Sequence, residues 1–213
     1  MSSNAAATNG LIEALSLHVR ELSVKIGERS VLRGDGLDRA KAYVRGAFEA
    51  AGLIVTEQAY EYDGRRVANL IADPPGQEAG ADTDATPYII GAHYDSVIGT
   101  PGADDNASAV AVMLELARRA TAKPPGVPLR FVAFTLEEPP THATRHQGSR
   151  VFVKRLPEAG GRVAGALLLA MVRLTTPTPH YPLFLQFAGS PDALTFLARV
   201  PHRPPRPLGQ RPL

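Results

Sequence analysis

The chain has 213 residues, 44% of them hydrophobic and 21% charged, enough to bury a core without covalent staples. It contains no cysteine, which excludes a disulfide framework, a thiolate metal site and a thiol nucleophile, so any metal must be held by His, Asp and Glu. The net charge of +2 belongs to the end of the chain: residues 201–213 carry Arg203, Arg206 and Arg211 and no acid, and the rest holds 20 basic against 21 acidic residues, which argues against a broadly basic face for nucleic acid.

Residues 1–10 are expected to be irregular. From Leu11 to Ile26, Leu11, Leu15, Val19, Leu22 and Ile26 recur at steps of three and four, which predicts an amphipathic helix. A second helix is predicted from Leu37 to Ala51, burying Ala40, Tyr43, Val44, Ala47 and Phe48 and stopping at Gly52. Strands follow at Ile54–Tyr62 and Val67–Ala72, with Asp63-Gly64 as the hairpin turn. Residues 73–87 read as a surface loop, and Pro87–Ala92 as a short apolar strand covered on both faces. A helix from about Asn106 to Ala120, a strand at Leu129–Leu136, a short helix at Ser149–Leu156 and a buried strand at Val163–Val172 complete the series. This alternation predicts an α/β fold, a three-layer sandwich whose mixed, largely parallel central sheet carries helices on both faces.

In open α/β sheets, ligands bind beyond the carboxyl ends of the strands. The strand at 87–92 runs into His93-Tyr94-Asp95-Ser96, and the loop after it delivers Asp104 and Asp105 to the start of a helix. The strand at 129–136 ends in Glu137-Glu138-Pro139-Pro140. Taken singly, each cluster has a plain structural explanation; Asp-Asp-Asn before a helix, for instance, is ordinary N-capping. Together, three segments bring imidazole and carboxylate groups to one sheet edge, as a hydrolytic metal centre requires. Zinc accepts both donor types at about 2.0–2.2 Å, and adjacent glutamates can divide metal binding from proton transfer.

These motifs resemble the M28 family of zinc metallopeptidases: His93-Tyr94-Asp95-Ser96, Pro101 to Ser108 (PGADDNAS), Phe134 to Pro140 (FTLEEPP) and Gly148-Ser149, together with Asn69-Leu70-Ile71-Ala72. The resemblance spans roughly residues 11–173 and implies a zinc-exopeptidase-like fold. It further implies that His93 binds one zinc, that Asp105 bridges two, and that Glu138 ligates the other. Asp105 is preferred to Asp104 because the family's bridging aspartate follows Gly by three positions. Glu137 would be the general base and Asp95 would support His93. The reaction implied is hydrolysis of the N-terminal bond of a peptide with a free amino terminus.

Two features depart from the family pattern. Leu169-Ala170-Met171 places alanine where relatives carry a carboxylate ligand. The family's last ligand is a His beyond the point where this sequence stops, and neither His180 nor His202 sits in a matching motif. His142 and His146, after Glu138, read as solvated loop histidines. The expectation is therefore a peptidase domain over residues 11–200 lacking its C-terminal part, followed by a Pro/Arg-rich tail at 201–213, with residues 174–213 open to a reading-frame explanation. One or no zinc would then be held in place of two. The competing expectations are a non-catalytic relative and a single-zinc glutaminyl cyclase. No apolar run reaches the roughly 18 residues of a membrane span and residues 1–10 lack the features of a secretory signal; as written, the chain is expected to be cytoplasmic, with neither membrane nor nucleic acid as partner.

Overall fold

The computed structural model describes residues 3–77, 86–156 and 162–170, and the backbone of 184–189. Helix α1 (Ser3–Arg20) continues into a wider π-type turn at Glu21–Ile26. It starts well before Leu11, so residues 3–10 are helical where irregular chain was expected. The run Ala5-Ala6-Ala7 has the highest intrinsic helix propensity and needs no apolar stripe to extend a helix already nucleated. Helix α2 (Gly36–Ala50) buries Leu37, Ala40, Val44 and Phe48, while Tyr43 and Ala47 are half-buried. It ends where Gly52 adopts φ +85° and the Leu53 N–H donates back to the Phe48 carbonyl at 3.1 Å.

Strands β1 (Ile54–Tyr62) and β2 (Arg65–Asp73) pair antiparallel through the Tyr62↔Arg65 register. Asp63 and Gly64 between them both have positive φ, the backbone that a two-residue hairpin of the right twist demands. Next come β3 (Tyr88–His93), α3 (Ala109–Ala122), β4 (Leu129–Phe134), α4 (Gly148–Arg155), β5 (Gly165–Ala170) and β6 (Phe184–Gly189). The sheet order is β1-β2-β4-β3-β5-β6. Parallel pairing is confined to the centre, β4-β3-β5, and antiparallel strands flank it on both sides. Strand β6 has no counterpart among the predicted elements: FLQFAG is short, lacks strict alternation and lies between prolines at 182 and 191.

The pleat of β4 shows how the layers form. Phe131 and Ala133 face one side, in a core with Val44 and Phe48 of α2 and Val110 and Met113 of α3. Val132 and Phe134 face the other, with Ile89 and with Phe152 of α4. The Phe48 and Phe131 rings lie 6.3 Å apart, and Phe134 meets Phe152 edge-on at 5.7 Å, both within the favourable range for aromatic pairs. Helices thus cover both faces, and the carboxyl ends of parallel β3 and β4 open side by side. Among the described residues, no helix is long and apolar enough to cross a membrane.

Candidate metal centre

Because β3 and β4 pair in parallel with His93 opposite Phe134, the residues that follow each strand emerge on the same edge. His93 ends β3. Its Nε2 lies 3.1 Å from Asp105 Oδ1 and 3.8 Å from Glu138 Oε1. One donor atom from each of His93, Asp105 and Glu138 falls within 4.8 Å of the other two, the one such group of three or more metal-ligating residues among the described residues. Asp104 is exposed and stands outside that group.

The three donors come from three local devices. His93 is oriented by Asp95, whose Oδ1 is 3.3 Å from His93 Nδ1 and whose Oδ2 accepts the Glu138 N–H at 3.0 Å. One buried carboxylate therefore addresses both the imidazole and the backbone of Glu138. Asp105 sits in the π-type turn Ala103–Ser108, next to a cis Asp105-Asn106 peptide, and the Asn106 side chain donates to the Leu169 carbonyl at 3.1 Å. That bond holds the end of β5, and hence Ala170, alongside the turn. Glu138 follows a sharp bend at Leu136, a non-glycine residue with φ +56°, a conformation found where surrounding structure enforces it.

The bend sends the two glutamates in different directions. Glu138 joins His93, whereas Glu137 turns to the start of α4: its Oε1 accepts the Ser149 N–H at 2.6 Å, and its Oε2 accepts Ser149 Oγ at 3.0 Å and Gln147 Nε2 at 2.6 Å. Asn69 fixes α4 there. Its side-chain amide donates to the carbonyl of Gly148 and its Oδ1 accepts the Thr135 N–H, at 2.8 and 3.0 Å. A Cβ at Gly148 would overlap the Thr135 carbonyl and Asn69 Oδ1, so only glycine lets the helix start approach this closely.

The electrostatics fit a cation. Burial opposes charge on His93, yet hydrogen bonds and charges from Asp105 and Asp95 push its pKa up to about 10. The hydrogen bond from His93 holds Asp105 below the usual carboxylate range, while burial and the neighbouring carboxylates push Glu138 above it. Crowded carboxylates facing an imidazole Nε2 whose Nδ1 is backed by an aspartate form the hard-plus-borderline donor set that divalent zinc prefers. Three ligands at one cation also leave an open position, as catalytic sites do.

The sequence model of peptidase family M28 matches residues 69–203, more than half of the chain, a range that includes His93, Asp95, Asp105, Glu137 and Glu138. The chain belongs to peptidase family M28. The match runs well past residue 173, where the motif resemblance ends. Among curated proteins, this M28 chain is 37% identical over 196 residues to the uncharacterised protein YfbL of Escherichia coli K12, covering 88% of this chain and 59% of that protein. It is 33% identical over 170 residues to leupeptin-inactivating enzyme 1 of Streptomyces exfoliatus, covering 77% and 36%. The chain thus spans less than two thirds of the length of either relative. Among solved structures, Porphyromonas gingivalis glutaminyl cyclase superposes with a TM-score of 0.61 at 25% identity, over 75% of this chain and 59% of that one. A Zn-dependent exopeptidase from Parabacteroides distasonis shares the fold with a TM-score of 0.59 at 22% identity, over 75% and 61%.

One central residue of this M28 site has no counterpart among the predicted site residues. Arg29 is fully buried. It donates from Nε to the Tyr94 carbonyl at 2.8 Å, from Nη1 to the carbonyls of Leu22, Gly27 and Pro101 at 3.0, 3.0 and 2.6 Å, and from Nη2 to Gly102 at 2.8 Å. One guanidinium therefore ties the turn after α1 to the residue following His93 and to the loop that leads into Asp105. Burial pushes its pKa down, to about 10, with Asp95 and Asp105 opposing the drop, so it stays charged at neutral pH. An Arg in Gly-Glu-Arg-Ser gives no periodic signal in sequence; its role depends on carbonyls some 70 residues away. Of the loop histidines, His142 approaches the Glu137 carbonyl at 3.0 Å and is exposed. His146 bonds the neighbouring Arg145 and rests on Tyr62. Neither joins the cluster, and His180 and His202 lie outside the described residues.

Proposed function

We propose that this chain is a zinc-dependent metallopeptidase domain acting as an aminopeptidase, with zinc held by His93, Asp105 and Glu138 and with Glu137 as general base. The observation that carries the reading is the convergence of those three donors beyond parallel β3 and β4, beside a glutamate already held at the adjoining helix start. When bound, zinc supplies a Lewis acid that polarises a carbonyl and lowers the pKa of a coordinated water. The chain's own residues supply the rest. Asp95, with Oδ1 3.3 Å from His93 Nδ1, favours the tautomer that carries its proton on Nδ1 and leaves Nε2 free. Glu137, which has about four acceptor sites, three of them engaged, keeps one lone pair to take a proton from water and return it to the leaving amine. Family membership supports peptides as substrates, and the zinc-dependent exopeptidase among the structural neighbours supports the metal.

A second reading, a glutaminyl cyclase, is favoured by the P. gingivalis superposition and by a donor set that serves a single ion. Purified protein reconstituted with zinc, freed of excess metal by a weak chelator and assayed on amino-acid p-nitroanilides and on glutaminyl peptides separates the two. The proposal predicts retained zinc, p-nitroaniline release and no cyclisation. Glu137→Gln is expected to lower kcat by at least a hundredfold while zinc content stays unchanged. Folded protein that retains no zinc, or that cyclises glutaminyl peptides without cleaving anilides, overturns it.

A further inference from the structure

Beside the Glu137 clamp, the loop after Glu138, the outer side of α4 and the end of β1 enclose an open groove of about 590 Å³, lined by Tyr60, Glu61, Arg145, His146, Lys154 and Arg155 among others. Its position follows from the strand register. Tyr60 pairs with Val67 and Leu70 with Ala133, so continuing the ladder sets Tyr60 level with Leu136, one residue before Glu137. The Tyr60 hydroxyl donates to the His146 carbonyl at 2.9 Å, and the next residue, Gln147, is the one bonded to Glu137. The groove thus begins at the edge that carries the site.

Its charge is lopsided. Three permanent cations face one carboxylate, Glu61, and among the described residues none of Arg145, Lys154 and Arg155 lies in an ion pair. Elsewhere Arg45, Arg65, Arg118 and Arg130 each have a carboxylate partner within 3 Å. Part of the wall is also braced: Arg155 Nη1 donates to the Ala59 carbonyl at 2.8 Å, Arg145 Nε to His146 Nε2 at 3.3 Å, and the His146 ring meets Tyr62 edge-on. Near-neutral overall composition conceals this patch because its cations are spread over residues 145–155.

We propose that this groove is a subsite for carboxylate groups on the part of a peptide substrate that follows the scissile bond, so that the domain prefers acidic peptides. The proposal rests on the peptidase reading, since it takes the cluster at the β3–β4 edge as the place where the amino terminus is held. An exposed charge pair contributes a factor of about 1.5 to 5, so two or three pairs near the middle of that range predict an acidic peptide bound about five- to twentyfold more tightly than its amide counterpart at low salt, and less so as screening rises.

The test measures fluorescence anisotropy of two peptides bearing a C-terminal fluorescein, Leu-Glu-Asp-Glu and Leu-Gln-Asn-Gln, with the zinc-loaded Glu137→Gln protein, so that binding is read without cleavage, in 20 and 300 mM NaCl. The expected result is a five- to twentyfold lower Kd for the acidic peptide at 20 mM, shrinking at 300 mM, and loss of that ratio in the exposed double variant Arg145→Ala/Lys154→Ala. Far-UV circular dichroism confirms folding, and Lys154→Glu, which changes the groove charge by the same amount, is expected to lower the ratio to a similar extent. Equal Kd values, a ratio unchanged by the variants, or tighter binding of a single-stranded oligonucleotide lost in the same variants overturns the proposal. Anilide hydrolysis is measured separately: failure there with peptide selectivity intact counts against the aminopeptidase reading and leaves the groove assigned.

Discussion

Replacing Arg29 by methionine preserves much of the side-chain bulk and removes five hydrogen bonds at once. Two of the five carbonyls keep another donor, because Leu22 also accepts from Gly27 and Gly102 also accepts from Ala107, each at 3.1 Å. The carbonyls of Tyr94, Gly27 and Pro101 lose theirs. At about 1–3 kcal/mol for each buried group left without a partner, the three set an upper limit of about 3–9 kcal/mol, since the Tyr94 bond is buried and those to Gly27 and Pro101 only partly so. Relief from burying a charge offsets part of that, and water can reach the vacated space, so the net loss should be about 3–5 kcal/mol. Out of a typical stability of about 5–15 kcal/mol that is severe but survivable. Urea unfolding followed by far-UV circular dichroism measures it. Arg29→Lys keeps the charge but not the fork geometry, and is expected to fall between wild type and Arg29→Met. Under conditions where both variants remain folded, their zinc affinity should fall by about ten- to a hundredfold, the usual effect of losing an outer-shell support, because the segments after His93 and before Asp105 are no longer tied together. A loss below about 1 kcal/mol would refute the account of Arg29 as a clamp. A large stability loss with unchanged zinc affinity would show that the clamp holds the fold without setting the site.

Gly102→Ala attacks the same junction from the loop: the left-handed backbone at φ +53° disfavours a side chain, and the new Cβ would stand 2.6 Å from Ser96 Cβ and 2.7 Å from Arg29 Nη2. A destabilisation of at least 2 kcal/mol is expected in the same urea titration, and a neutral outcome would mean the loop yields easily. Asp95→Asn removes the charge that backs His93, and zinc affinity should fall about ten- to a hundredfold by competition with a chromogenic chelator; an unchanged affinity would remove Asp95 from the site. The pH dependence follows from His93, whose pKa is raised to about 10, while zinc requires the neutral ring. Zinc affinity should therefore rise with pH from 7 towards 10, and calorimetry at pH 8 in buffers of different ionisation enthalpy should show about one proton released per zinc in excess of that from His93→Ala. Absence of that difference would show that His93 is not held protonated in the metal-free site.

What the sequence made legible divides along a physical line. Periodicity reports burial, so α2, β1, β3, β4 and α4 are located to within two residues or so by their apolar positions, and Asp63-Gly64 is located because its backbone requirement is local. His93, Asp105 and Glu138 are legible for a different reason: a parallel pair of strands exposes whatever follows each strand on one edge, which brings the clusters at 93–95, 104–105 and 137–138 into view, and the M28 resemblance then singles out Asp105 over Asp104 and Glu138 as ligands. What supports these residues is not legible in the same way. Arg29, Asn69 and Gln147 act on backbone carbonyls and carboxylates far along the chain or across a turn, and a hydrogen bond to a carbonyl leaves no residue pattern at the accepting end. Ser149 was visible as part of a motif, but its bond to Glu137 depends on the close approach of Gly148 to Asn69. Ala170 marks where the remaining question lies. Asn106 binds the carbonyl just before it, so the position where the M28 resemblance implies a carboxylate is beside the turn carrying Asp105, and the side chain there is a methyl group. Introducing the missing group as Ala170→Glu therefore tests the site more sharply than removing any ligand. If β5 delivers this position to the metal as its anchoring to Asn106 indicates, the variant should bind additional zinc or bind the first more tightly by competition titration; a variant that folds with unaltered zinc stoichiometry and affinity would show that the end of β5 is not part of the centre.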